Sequence, residues 1–176
     1  MNAISISTVL LLSQLVFLPY VQAESSSIWG RVNMNGSIVN SACAIDTGSY
    51  EQTVDMGILP AGSIRQEGQG PVRPFSIALI GCTLTPYAGD IWQSFSVTFD
   101  GAANGDFFSL SGEARGIALS LQDVQGTPIY PGQSTPKQAI IAGNSVLHYR
   151  LRVVSDNNPL RPGEYQTTLR FKIQYY

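Results

Sequence analysis

The last fourteen residues, Gly163 to Tyr176, constrain the fold more than any other stretch of the chain. From Tyr165 to Tyr175 the residues alternate, so that one face would carry Tyr165, Thr167, Leu169, Phe171, Ile173 and Tyr175. Alternation with period two predicts a β-strand that is buried on one face only. The sequence ends one residue later, so we expect that a later strand is not available to pair with the free edge of this strand. Either the edge is uncovered or an earlier strand covers it, as in many sandwiches, and this stretch alone favours the second alternative.

The composition favours short strands joined by turns. The chain has 176 residues with 17 Gly and 10 Pro, and further alternating or apolar runs occur at residues 75–80, 94–99, 117–121 and 146–154. We expect Phe95, Val97 and Phe99 to face the core, together with Leu147, Tyr149, Leu151 and Val153, and we expect residues 60–71 to form an exposed loop. This pattern predicts an all-β, immunoglobulin-like sandwich of the Greek-key type. With 12% charged residues and a net charge of −2, no basic surface indicates nucleic acid or an anionic membrane as a partner.

Residues 1–23 are typical of a secretory signal peptide. An apolar stretch from Ile4 to Leu18 is followed by Pro19 and by the small residue Ala23, where cleavage is expected. The alternative is a membrane anchor, but the apolar run is short for a span and lacks a basic flank. We therefore expect an exported mature chain that begins at Glu24 and has no stable membrane insertion.

The mature chain contains two cysteines, Cys43 and Cys82. An exported chain meets an oxidising compartment, so we expect these two cysteines to form one disulfide. Their spacing fits no zinc pattern.

The sequence does not indicate an enzyme or a cofactor. The only histidine, His148, falls on the polar face of a predicted strand between two arginines, and the carboxylates are scattered over turns. No nucleophile elbow, phosphate-binding loop or metal motif is present. A periplasmic hydrolase is therefore a poor alternative.

Four features together resemble the pilus subunits of the chaperone–usher pathway, of the type 1 and P pilus class. They are the amino-terminal strand Ile28-Trp-Gly-Arg-Val-Asn-Met34, the segment leading to Cys43, the second cysteine after an apolar strand, and the carboxyl-terminal motif with Gly163 and the penultimate Tyr175. The resemblance covers nearly all of the mature chain.

The resemblance implies a sandwich that lacks its last strand. Residues 1–23 would be the signal peptide, 24–35 a donor-strand extension and 36–176 the pilin domain. Donor side chains would be Ile28, Val32 and Met34, with Gly30 where the family usually has glycine. The strand beside the open groove would contain Gly163, Leu169, Phe171, Ile173 and Tyr175.

The resemblance also implies the partners and the location. A periplasmic chaperone would cover the groove first, and at an outer-membrane usher the extension of a neighbouring pilin would replace it, which places the chain in a cell-surface fimbria. The expected role is a shaft, minor or adaptor subunit. The alternatives are a subunit that terminates the pilus, or a free secreted carbohydrate-binding module that uses Trp29 or Trp92 as a stacking platform.

Overall fold

The computed structural model describes residues 31–33, 41–85 and 91–176. From Ser41 onward the described residues belong to one compact unit. They contain twelve strands and two short helices. The strands are β1 (Ala44–Ile45), β2 (Arg73–Cys82), β3 (Ser94–Asp100), β4 (Ala103–Asn104), β5 (Phe107–Phe108), β6 (Ser111–Gly112), β7 (Ile117–Asp123), β8 (Pro128–Ile129), β9 (Gln138–Ala139), β10 (Gly143–Ser155), β11 (Tyr165–Gln166) and β12 (Arg170–Tyr175); the helices are α1 (Thr47–Tyr50) and α2 (Ala61–Glu67).

The larger sheet has the strand order β1-β2-β10-β7-β5-β4, with β8 also paired to β7. Its centre is the long antiparallel pair of β2 and β10, in which Leu147 lies opposite Ile77 and Tyr149 lies opposite Phe75. The predicted core face of β10 is confirmed, because Leu147, Tyr149, Leu151 and Val153 are all buried.

The smaller sheet has the order β12-β3-β9. Its central strand buries Phe95, Val97 and Phe99, as predicted. The Phe99 ring lies 4.8 Å from the ring of Tyr149 on the larger sheet, in an edge-to-face arrangement. The two sheets therefore share one core, and the predicted all-β sandwich is confirmed.

The prediction of an exposed loop at residues 60–71 is wrong in part, because this region contains α2. Pro60 precedes the helix, where its fixed φ and missing N–H do no harm, and Gly68 ends it in the left-handed conformation. One side chain of the helix, Ile64, is buried. A helix of two turns with glycine and polar residues leaves too short a periodic pattern to be recognised in the sequence.

The predicted disulfide between Cys43 and Cys82 is present. It joins the end of β2 to the segment before β1, where Ala42 and both cysteines are buried. Within the described part of the chain, neither helix has the length and apolar character that crossing a membrane requires.

Candidate strand-binding groove

The last strand, β12, has an edge without a partner. On one side it pairs with β3, where Phe171 lies opposite Phe99 and Ile173 lies opposite Val97. Among the described residues, no strand pairs with its other edge. The inward side chains of β12 are only half-buried, whereas the β3 side chains beside them are buried. The apolar side chains of β12 are therefore packed against β3 on one side, and no described strand covers them on the other.

A second apolar row lies along the opposite wall, in residues 42–56. This segment follows the edge of β2, since Asp46 N–H donates to the Ala78 carbonyl and the Gln52 amide donates to the Ser76 carbonyl. Ala42 and Cys43 are buried, but Ile45, Val54 and Met56 are only partly buried against the core. We call the space between this segment and β12 the groove. The partly buried apolar side chains on its two sides are Ile45, Val54, Met56, Leu169, Phe171, Ile173 and Tyr175.

At one end of the groove, Tyr175 reaches across to the opposite wall. Its hydroxyl donates a hydrogen bond to the Cys43 carbonyl oxygen at 3.4 Å, and the Trp92 ring packs at 5.9 Å from its ring. Burial raises the pKa of Tyr175, and the bond to Cys43 acts in the opposite direction. This end of the groove is therefore filled by the chain's own aromatic side chains.

The final residue continues the pairing with β3. Tyr176 N–H donates to the Ser94 carbonyl, and a terminal oxygen of Tyr176 accepts from the N–H groups of Gln93 and Ser94 at 2.7 and 3.1 Å. Lys137 Nζ lies 3.8 Å from the centre of the Tyr176 ring, where a cation–π contact forms. The register of β12 is thus held as far as the last residue.

A cavity of about 340 Å³ lies beside residues 166–168 and shares no lining residue with the groove. The chain pairs with β6 through β11 and with β3 through β12, but residues 167–169 between them belong to neither strand. The cavity opens beside this unpaired stretch, and its lining residues are Ala102, Ser109, Leu110, Ser111, Gln166, Thr167 and Thr168.

Gly163 lies before β11, apart from the apolar row of the groove. A Cβ at this position would stand 2.7 Å from Ala114 N and 2.7 Å from the Glu113 side chain. A Cβ on Gly112, in the facing strand β6, would overlap the Glu164 carbonyl. The two glycines permit the close backbone contact in which Glu113 and Ala114 N–H both donate to Glu164 O. Gly163 therefore supports the start of the final strand.

Of the predicted donor residues, Ile28, Gly30 and Met34 lie outside the described residues, as do the signal peptide and Trp29. Val32 is described, in a short stretch without regular secondary structure. Leu169, Phe171, Ile173 and Tyr175 do come together in the groove as a row.

The opposite wall of the groove is not among the features predicted from the sequence. Val54 and Met56 form a short alternation with Thr53 and Asp55, and that pattern was the available signal. His148 is exposed, as expected. In the described part of the chain, no cluster of three or more potential metal ligands occurs.

Comparison with known proteins identifies the family. The family model described as "Fimbrial protein" matches residues 32–176. The "PAP fimbrial minor pilin protein" of Escherichia coli is 32% identical over 163 residues, which cover 90% of this chain and 84% of the relative. The "Fimbria A protein" of Serratia marcescens is 30% identical and covers 83% of this chain and 84% of the relative.

The solved structure of the P pilus rod subunit PapA has the same fold. It superposes with a TM-score of 0.69 at 21% identity, over 77% of this chain and 100% of that structure. The family model matches most of the chain, and the two relatives from Escherichia coli and Serratia marcescens are at least 30% identical to it over most of their length. The chain belongs to the fimbrial protein family.

Proposed function

We propose that the groove binds an extended strand from another polypeptide and that fimbria assembly uses this binding. As a member of the fimbrial family, the chain is a structural subunit of a cell-surface fimbria and not an enzyme. The proposal concerns how the subunit joins its neighbours. The observation that carries it is the pair of half-buried apolar rows that face each other across the unpaired edge of β12.

An added strand would satisfy both the backbone and the side chains of the groove. Main-chain hydrogen bonds along the free edge of β12 would hold the strand, and its alternate side chains would fill the space between the two walls. In the donor extension at residues 24–35, Ile28, Val32 and Met34 would supply these side chains. Each contributes about 1.5–3 kcal/mol when fully buried. Gly30 would fit where the strand approaches a bulky side chain closely.

The proposal also implies an order in which partners would occupy the groove. A chaperone in the periplasm would lend a strand to β12 and shield Phe171 and Ile173 from water. At an outer-membrane usher, the extension of the next pilin would replace that strand. Residues 1–23 would have been removed as the signal peptide, which leaves the extension at the amino terminus and the pilin domain at residues 36–176.

The unpaired edge of β12 supports a groove that accepts another subunit, as in a shaft, minor or adaptor pilin. A pilus-terminating subunit would be better served by a groove filled along its whole length. Trp92 does not favour a carbohydrate-binding module, because its ring is partly buried and packs edge-on against Tyr175.

Solubility of the mature chain tests the proposal. Expressed alone in the periplasm, the chain should aggregate or be degraded; expressed with the chaperone of its own pilus system, it should be recovered as a soluble complex. A stable soluble monomer without any partner would contradict the proposal, because the groove would then need no strand.

A further inference from the structure

Several large apolar side chains are exposed at one end of the sandwich. This end is where β2 ends, where β3 and β10 begin, and where Tyr176 lies. Hydrogen bonds from Trp92 N–H to Leu84 O and from Ile140 N–H to Gln93 O tie the adjoining loops together there. We call this surface the apolar end; its members are Ile80, Leu84, Ile91, Ile141 and Val146.

The apolar end carries little charge, since Lys137, over the ring of Tyr176, is the charged side chain placed there by a described contact. No Asp, Glu, Lys or Arg occurs in the described segments 41–45, 80–85, 91–96 and 138–146 that build it. At the opposite end of the sandwich, by contrast, the segments 100–115 and 156–164 contain Asp100, Asp106, Glu113, Arg115, Asp156, Arg161 and Glu164. A surface that exposes several large apolar side chains and little charge is typical of a protein interface.

The chain enters the pilin domain at this same end. Ala42 O accepts a hydrogen bond from Thr83 N–H at 2.8 Å, just after the end of β2. From Met34 to Ser41, a fully extended chain reaches roughly 25 Å at most. A subunit that holds the donor extension up to Met34 must therefore lie close to the apolar end.

We propose that the apolar end is the surface on which the body of the subunit that receives this chain's extension rests. This inference rests on the proposed function, because the extension must be held by a neighbour. The short connection limits where the neighbour can lie, and the exposed apolar side chains provide a surface that contact would remove from water. The joint between two subunits would then consist of an inserted strand and a contact between domains.

Single cysteines can report whether the apolar end is covered in the fibre. Both native cysteines are in the disulfide, so an introduced thiol is the only one that a maleimide can label. Ile141→Cys places the probe at the apolar end, where the side chain is 68% exposed. Ile58→Cys is the matched control, since Ile58 is 98% exposed and lies near the start of β2, at the opposite end.

Labelling is compared between the chaperone-bound subunit and assembled fibres. We expect Ile141→Cys to react about tenfold more slowly or less in fibres, since covered groups react only when the contact opens, while Ile58→Cys keeps its rate. Fibres that contain the variant but label Ile141→Cys at the chaperone-bound rate would overturn this inference and leave the proposed function intact. Equal protection of both positions would also overturn it, because the effect would not be specific to the apolar end. Failure of the full-length chain to enter fibres at all would instead contradict the proposed function.

Discussion

The Tyr175 hydroxyl donates a hydrogen bond to the carbonyl oxygen of Cys43 across the groove, at 3.4 Å. The bond connects the penultimate residue of the chain to the segment that the disulfide fixes against β2. It spans the groove at one end, where the Trp92 ring packs beside the ring of Tyr175. A strand that binds in the groove would therefore meet the Tyr175 side chain at this end.

A subunit that carries its own covering strand should not need a partner. If a short turn and a second copy of residues 24–35 are attached after Tyr176, the added strand can fold back beside β12 and bury Phe171 and Ile173. We expect this complemented chain to be a soluble monomer that unfolds cooperatively, measured by sedimentation and by denaturant titration. In the control, the copied Ile, Val and Met are replaced by Ser; equal stability of the two chains would argue against insertion into the groove.

A charge on the inner face of β12 should prevent capture by the chaperone. Phe171→Asp places a carboxylate in the apolar row, where burial without a partner costs several kcal/mol. Gln174→Asp makes the same change of charge on the exposed face of the same strand. In a pull-down from the periplasm, the first variant should be lost and the second retained. Equal recovery of both would mean that the chaperone binds elsewhere.

Removing the proposed donor strand should abolish incorporation into fibres without affecting binding to the chaperone. Without residues 24–35 the chain retains β12 and its groove, so the chaperone complex should form in normal yield. The truncated chain should be absent from purified fibres, because it cannot insert into a neighbour. Immunoblots of periplasm measure the chaperone complex, and immunoblots of sheared fibres measure incorporation. Normal incorporation of the truncated chain would refute the assignment of residues 24–35 as the donor strand.

A methyl group at Gly163 should weaken the start of the final strand. The Cβ of Gly163→Ala would meet the backbone at Ala114 at 2.7 Å, so Glu113 and Glu164 must move apart. We expect the complemented chain to lose about 1–3 kcal/mol of unfolding free energy. Gly62→Ala is the control, since a Cβ there meets nothing within 4 Å and alanine favours the helix by up to about 1 kcal/mol. Equal effects would show that the close contact is unimportant.

The buried hydroxyl of Tyr149 should make stability depend on pH in the alkaline range. Burial, and secondarily the charge of Asp123, raise the pKa of Tyr149 above its ordinary value. The folded state thus holds this proton more tightly than the unfolded state, so the stabilisation is complete below about pH 10 and declines as the pH rises further.

Tyr149→Phe in the complemented chain should reduce the loss of stability between about pH 9 and about pH 11. At neutral pH it should raise the unfolding free energy by roughly 1 kcal/mol, since no described residue bonds to the buried oxygen. Tyr50→Phe, at an exposed position, should change neither value. An unchanged pH profile for Tyr149→Phe would show that another group controls alkaline unfolding.

Alternation in the sequence predicted the inner faces of the long strands, because a side chain's direction in a strand depends only on its position. Phe95, Val97 and Phe99 are buried for this reason. The same alternation continues from Tyr165 to Tyr175, although hydrogen bonding divides this stretch into β11 and β12. The division depends on which strands lie beside it, which a local pattern does not contain.

The opposite wall of the groove was harder to predict. Residues 42–56 contain only the two residues of β1 as regular strand, and their position follows from distant partners such as Ala78 and Arg73. Val54 and Met56 contribute to the groove through this tertiary placement. The alternation over residues 53–56 is therefore too short to show whether this segment forms one side of the groove or an ordinary loop.

The incomplete cover over Phe171 and Ile173 limits how the protein can be produced. Under the proposed function, each newly exported copy would expose apolar side chains to water until a strand binds, so free copies would aggregate if they accumulated. The supply of subunits would have to match the supply of covering strands from chaperones and from neighbouring pilins. The rate of fibre growth would then depend on this balance as well as on the synthesis of the subunit.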